Sequence, residues 1–208
     1  MNLPNRLTVS RFVLTVFFLW AVFSRSKVND TLALVLFCAA SFTDYLDGRI
    51  ARARGLITNF GTLMDPLADK ILTCSAFIAL VERHMISPPG PIEFFSLHLP
   101  AAKVQAWMAV VIVARELAIT GLRLLAASKN VVLSAERYGK HKTISQIVAI
   151  IALLLMDAYV EWWPWLKGVL APWVPLVALL ALWITVILTF SSGVLYLWRN
   201  RRIYLDDM

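Results

Sequence analysis

The sequence predicts an all-α integral membrane protein: a bundle of six transmembrane helices with a short N-terminal interfacial segment and both termini in the cytoplasm. Three observations predict it. Of the 208 residues, 60% are hydrophobic and only 16% charged, with a mean hydropathy of +0.72; a soluble domain is typically about 45–50% apolar and about 25% charged. Apolar stretches such as 104–114, 144–156 and 174–190 recur along the whole length, separated by short charged clusters. Lys and Arg are also divided unevenly among the connections. These features exclude a secreted disulfide scaffold, an intrinsically disordered chain and a nucleic-acid-binding domain. The net charge of +7 and pI near 9.7 have no RNA or DNA motif around them. In a membrane protein such charge reports orientation and contact with anionic lipid or phosphate.

The elements follow in order. Residues 2–10 are short, basic and mixed in polarity, and are expected to lie along the membrane surface, although Pro4, Asn5 and Thr8 also supply helix-start chemistry. Roughly 17–25 residues cross the hydrocarbon, which predicts spans at about 7–24, 30–47, 62–82, 103–126, 144–161 and 174–198. The first span follows Arg6 and Arg11 and ends at no small-residue cleavage site, so it is expected to stay as an anchor. Cys38 and Cys74 sit in apolar runs without metal-ligand spacing and read as core residues. Connections 83–102 and 162–173 are rich in Pro and Trp and read as interfacial loops with an aromatic belt. There is no internal repeat, so residues 1–208 form one domain.

An even number of spans puts both termini on one side. That side holds fifteen of the twenty Lys and Arg residues; the other holds Arg25, Lys27, Arg83, Lys103 and Lys167. The imbalance places the termini and the 48–61 and 127–143 loops in the cytoplasm.

Four of the eight aspartates lie near the cytoplasmic ends of apolar spans. Asp44 and Asp47 are three apart at the end of the second, and Asp65 and Asp69 are four apart at the start of the third. Spacings of three and four put each pair on one helix face, and the intervening loop brings the two helix ends together. A carboxylate in a bilayer costs at least a few kcal/mol, and like charges at close range add to that cost. Arg49, Arg52 and Lys70 offset part of this, as in a structural Asp–Arg network. An all-oxygen donor set with no His or Cys nearby suits Mg²⁺ or Mn²⁺, as a pair about 3.5–4 Å apart of the kind used in phosphoryl transfer.

Read as one pattern, Asp44-x-x-Asp47-Gly48-x-x-Ala51-Arg52, eight residues, Gly61-x-x-x-Asp65-x-x-x-Asp69 resembles the signature of the CDP-alcohol phosphatidyltransferase family at every fixed position. The resemblance covers residues 44–69, and the six-span layout agrees with that family's membrane fold. It implies that Asp44, Asp47, Asp65 and Asp69 hold two metal ions and that Asp69 is also the general base for the acceptor alcohol. Gly48 lets a nucleotide diphosphate approach the backbone, Arg52 offers it a bidentate fork, and Gly61 breaks the chain before the third span. Pro66 is expected near that helix's beginning. The implied reaction is attack of an alcohol on the lipid-attached phosphorus of a CDP-linked donor, CDP-diacylglycerol, with CMP leaving.

Two basic clusters bear on the acceptor. The fourth span carries Ala114-Arg115-Glu116 and Gly121-Leu122-Arg123, with Glu116 and Arg123 seven apart on nearly one face. Gly139-Lys140-x-Lys142-Thr143-x-x-Gln146 opens the fifth. Cations at a helix start oppose its dipole, and an anionic ligand would relieve both problems; positive-inside anchoring to anionic lipid is the plainer account. Together with Asn2-Leu3-Pro4-Asn5-x-Leu7-Thr8-x-x-Arg11, these segments resemble the bacterial phosphatidylglycerophosphate synthase branch of the family. That resemblance implies glycerol 3-phosphate as acceptor, its phosphate cradled by Arg115, Arg123, Lys140 and Lys142. It places Asn5, Thr8 and Arg11 near the donor's phosphates or cytidine. It also implies a homodimer in the bacterial cytoplasmic (inner) membrane with its active site facing the cytoplasm, and no nucleic-acid partner. Competing readings are a same-fold transferase using inositol phosphate or serine, and an ion transporter. A transporter would favour discontinuous, inverted-repeat helices and midplane carboxylates, neither of which the sequence offers.

Overall fold

A computed structural model describes residues 3–24, 27–54, 59–94, 97–129, 138–201 and 203. Six long helices run through it: α1 (Leu3–Phe23), α2 (Lys27–Arg54), α3 (Asn59–Ile86), α4 (Ala106–Ser128), α5 (Tyr138–Ala158) and, after one short helix α6 (Pro164–Leu170), α7 (Val174–Arg199). A two-stranded antiparallel hairpin, β1 (Ile92–Phe94) and β2 (Leu97–Leu99), pairs Ile92 with Leu99 and Phe94 with Leu97. The mostly helical fold agrees with an all-α membrane class.

Each of the six expected spans has its helix, but the ends differ: α2 and α3 overrun theirs, while α4 starts three residues late and α5 stops three residues early. α2 continues through Gly48 to Arg54, and α3 begins at Asn59. The expected 48–61 loop therefore contracts to residues 55–58, because a polar, basic turn can extend a helix beyond the membrane as well as end it. Pro66 then lies seven residues past the α3 start rather than in its first turn, and it cannot supply the N–H that the Thr62 carbonyl would ordinarily receive. α1 is continuous from Leu3, so the stretch expected as a separate interfacial segment is the first part of the same helix. The connections expected at 83–102 and 162–173 contain the hairpin and α6. α3 stops at Ile86 because Ser87-Pro88-Pro89-Gly90-Pro91 follows, while Pro164 and Pro175 are tolerated in the first turns of α6 and α7.

α1 packs on α2 and α3, α5 on α7 and α2, and α4 on α7 and α3. The core contains Phe18, Phe37, Phe77, Leu80, Met108, Ile112, Ile150, Leu153 and Leu182, all fully or almost fully buried. Large apolar side chains also cover the outer surface: Val16, Phe17 and Trp20 on α1, Val110, Leu117 and Leu124 on α4, and Ile184, Ile187, Phe190 and Trp198 on α7 are exposed. Water would not tolerate such continuous apolar faces, whereas hydrocarbon would. Of the described helices, only α7 combines span length with a charge-free apolar window, at a mean hydropathy of 2.3; α1 and α2 hold shorter apolar segments, Thr8–Phe23 and Asn29–Thr43. The others are interrupted by ionisable residues such as Arg115 and Glu116 in α4.

At the end remote from the aspartate pairs, Arg83 ties four helices together. Its Nη2 meets Asp30 of α2, its Nε lies 2.9 Å from Asp157 Oδ2 of α5, and its Nη1 donates to the Val22 carbonyl of α1 at 3.4 Å. Trp162 Nε1 donates to Thr31 Oγ1 at 2.9 Å, pinning the post-α5 segment to α2. Because core and lipid-facing positions differ in what surrounds them, Phe77→Ala is expected to cost about 3–5 kcal/mol through the cavity it leaves. Leu117→Ala, 66% exposed, should change stability by about 0.5 kcal/mol or less. Unfolding of the detergent-solubilised protein measures both, and equal losses would contradict this packing.

Candidate active site

The helices carry every fixed signature position. Asp44, Asp47, Gly48 and Arg52 lie on α2, and Gly61, Asp65 and Asp69 on α3. Both elements are regular through these residues, so each aspartate pair shares a helix face, and the four-residue connection keeps the two helix ends close in the chain. The side chains of these residues, like those of Asn5 and Lys140, lie outside the described residues. Among the described residues no group of three or more His, Cys, Asp or Glu side chains could hold a metal.

One residue beyond Asp69, Lys70 Nζ meets Thr120 Oγ1 of α4. The Thr120 hydroxyl donates in turn to the Glu116 carbonyl at 2.8 Å, one turn earlier on α4. Glu116 is the hub of the described site. Its Oε1 takes Lys142 Nζ from α5, Gln146 Nε2 at 3.5 Å from the next turn of α5, and Arg115 Nη1 at 3.3 Å. Lys142 and Gln146 reach the same oxygen because they are four apart on one helix face. The Lys142 and Glu116 side chains are 6% and 9% exposed, a buried pair. One carboxylate is thus shared by two cations, beside the aspartate-bearing turn of α3. Glu116 also supplies an anion near the start of α5, where the sequence pointed to an anionic ligand or anionic lipid to offset Lys142.

Arg115 is placed by a glycine. A Cβ at Gly193 of α7 would come within 2.8 Å of Arg115 Cγ, so only a bare backbone lets the arginine stem lie against α7. Arg123, by contrast, is exposed, its Cζ 6.0 Å from the Tyr196 ring centre. It lies eight residues, about 12 Å, beyond Arg115 along α4, beside a satellite cluster of Ile119, Leu122 and Tyr196. The structure therefore brings Arg115 and Lys142 together and leaves Arg123 apart. Thr8 and Arg11 on α1, three apart, are both fully buried within the bundle. The sequence named Glu116 and Gln146 within motifs without giving either a role of its own, and it gave no sign of Thr120 or Gly193. The i, i+4 spacing of Lys142 and Gln146 was the one signal on offer.

A family model described as CDP-alcohol phosphatidyltransferase matches residues 1–191. The chain is similar to proteins named CDP-diacylglycerol–glycerol-3-phosphate 3-phosphatidyltransferase. The one from Bacillus subtilis (strain 168) is 38% identical, covering 96% of this chain and 95% of the relative. That from Rickettsia felis is 31% identical over 94% and 93%. A relative from Shigella flexneri serotype 5b is 30% identical over 99% and 98%.

The buried hub makes two structural predictions. Glu116→Ala, which leaves the Lys142 ammonium buried without its carboxylate, is expected to cost about 3–5 kcal/mol, and Glu116→Gln distinctly less because an amide oxygen still accepts. Thermal unfolding in detergent reads both, and equal costs would deny Glu116 its role. Gly193→Val should displace Arg115 and lower the unfolding temperature. Gly121→Ala, whose Cβ meets nothing within 4 Å, should not lower it.

Proposed function

Because the chain belongs to the CDP-alcohol phosphatidyltransferase family, we propose that it transfers the phosphatidyl group of CDP-diacylglycerol to glycerol 3-phosphate, releasing phosphatidylglycerophosphate and CMP. The observation that carries the choice of acceptor is the meeting of two cations from different helices, Arg115 of α4 and Lys142 of α5, on the single carboxylate of Glu116. It lies a short hydrogen-bonded path from the residue following Asp69. An acceptor bearing its own phosphate suits such a place, and the names of the full-length relatives point the same way.

In this reading Gly48 and Ala51 keep the α2 surface low for the donor diphosphate, Arg52 grips it, and Asn5 and Thr8 contact the donor from α1. Gly61 keeps the start of α3 clear of it. Arg115, Lys142 and Lys140 hold the acceptor phosphate, with Arg123 on the outer approach. Asp69 accepts the proton of the acceptor hydroxyl as its oxygen bonds to the phosphatidyl phosphorus. The bond from that phosphorus to the bridging oxygen of the diphosphate breaks, and CMP leaves with the electron pair. Asp44, Asp47, Asp65 and Asp69 form an oxygen-only donor set at helical spacing, which fits two Mg²⁺ or Mn²⁺ ions. Such ions, when bound, offset charge developing on the leaving phosphate. The fifteen-to-five distribution of Lys and Arg supports six spans in a bacterial cytoplasmic membrane, with termini and site facing the cytoplasm. Homodimeric assembly belongs to the same proposal on family resemblance.

Asp69→Asn is expected to lower CMP release at least about 100-fold while the protein still purifies folded; full activity in that variant removes the base assignment. Chelation of divalent metal should stop turnover, with Mg²⁺ or Mn²⁺ restoring it and monovalent salt not. Purified protein given CDP-diacylglycerol and a panel of alcohols should form product with glycerol 3-phosphate and not with inositol phosphate or serine, as read by product mass. Lys140→Ala combined with Lys142→Ala should raise KM for the acceptor far more than for the donor.

A further inference from the structure

A groove of about 240 Å³ runs between α4 and α7. Ala114 and Ala118 of α4 and Gly193 of α7 leave it hollow, and Phe190, Val194 and Leu197 form its α7 wall. Both alanines, Phe190 and Val194 are exposed, so the groove opens on the outer surface of the bundle. Its one charged lining residue is Arg115, whose stem lies against Gly193 and whose Nη1 is engaged with Glu116; the groove therefore meets methylenes there. The lining runs from Thr189 to Leu197 along α7 and from Val111 to Ile119 along α4, eight residues or about 12 Å on each helix. The signature aspartates ride on α2 and α3, whereas α7 packs on α4 and α5, so the groove is separate from the aspartate pairs.

Past Leu197 the surface changes within one turn. Trp198 is exposed, and Arg201 follows four residues after Leu197, about 6 Å further along. The Arg201 side chain is exposed, its Cζ 5.6 Å from the Trp198 ring centre, and it forms no ion pair among the described residues. Its turn is fixed from several sides. The Arg201 N–H donates to the Trp198 carbonyl at 3.3 Å, the Ile203 N–H donates to the Asn200 carbonyl at 3.1 Å, and Lys129 Nζ of α4 donates to the Ile203 carbonyl at 2.7 Å. Apolar groove, indole and guanidinium thus follow one another in the order in which a phospholipid presents its chain, its glycerol esters and its phosphate.

We infer that this groove seats one acyl chain of a resident anionic phospholipid whose phosphate meets Arg201. A chain laid in the hollow gains dispersion contacts with both helices that lipid passing over it would leave unmade. Spread over its length, the groove is narrower than a helix, which is about 10 Å across, and wide enough for one alkyl chain. A second copy of this chain docked there about an axis along the membrane normal would bring a second Arg201 to the same level, with like charges facing. An anionic headgroup is favoured over a choline headgroup because no carboxylate balances Arg201 and choline brings a further cation beside it. With the orientation proposed above, the lipid belongs to the inner leaflet.

The full chain in detergent is supplied with equal phosphatidylglycerol and phosphatidylcholine of the same acyl chains, and retained lipid is counted by native mass spectrometry. The wild type is expected to hold phosphatidylglycerol at least about fivefold over the choline lipid; equal retention overturns the inference. Arg201→Gln should bring the ratio near unity while Arg201→Lys keeps most of it, and an unchanged ratio in Arg201→Gln is equally fatal. Ala118→Phe fills the hollow without altering charge, so its expected loss of retained lipid, at least about fivefold, separates the groove from general attraction to a basic face. Full retention in that variant rejects the site. In the wild type, lysophosphatidylglycerol should displace the lipid, whereas glycerophosphoglycerol, the same headgroup without a chain, should not. Displacement by the latter would deny the groove its role, and this arm carries the test if Ala118→Phe does not fold. A lipid-free dimer that Ala118→Phe dissociates would give the groove to a second copy instead, against the inference. CMP release should be unchanged in Arg201→Gln and Ala118→Phe. Its loss together with the lipid in both would assign the groove to the donor's own chains and reject a resident lipid.

Discussion

An ionised side chain drawn into an apolar bundle is held there only if an opposite charge or an aligned donor meets it, and this constraint organises both ends of the molecule. Desolvating a single ion costs several kcal/mol, and removing one member of a buried pair exposes that cost in full. At the end bearing the aspartates, the lone carboxylate of Glu116 meets Lys142, Gln146 and Arg115. At the other end the lone guanidinium of Arg83 meets Asp30 and Asp157. Each hub joins separate helices, so the pairings that satisfy the charges also fix how the helices register.

Much of the fold was legible because the apolar windows that identify spans coincide with helices α1 to α5 and α7. The boundaries were less legible for a specific reason. Counting apolar residues ends a span at the first charged cluster, but a helix needs no apolar residue to continue once its backbone bonds are running. The segment from Asp44 to Arg54 is charged and still helical. The β1–β2 hairpin, with three residues per strand, is too short for alternation to declare itself against a proline-rich background.

The site divides along similar lines. The aspartate signature is written in local spacings, three and four residues on one helix, which sequence displays directly. The Glu116–Lys142 pairing crosses from α4 to α5, twenty-six residues apart, and Arg115 owes its position to a glycine on α7; no periodicity encodes either. In the proposed reaction these long-range contacts bear on which acceptor the local signature serves. A lysine reaching a phosphate from free solution would be one conformer among many, whereas Lys142, held by Glu116 from one side, has its stem ordered before any ligand arrives and loses less entropy on binding. In the proposed reaction the same carboxylate that stabilises the bundle thus lowers the cost of recognition, because it holds Lys142 and Arg115 on one oxygen before any acceptor arrives.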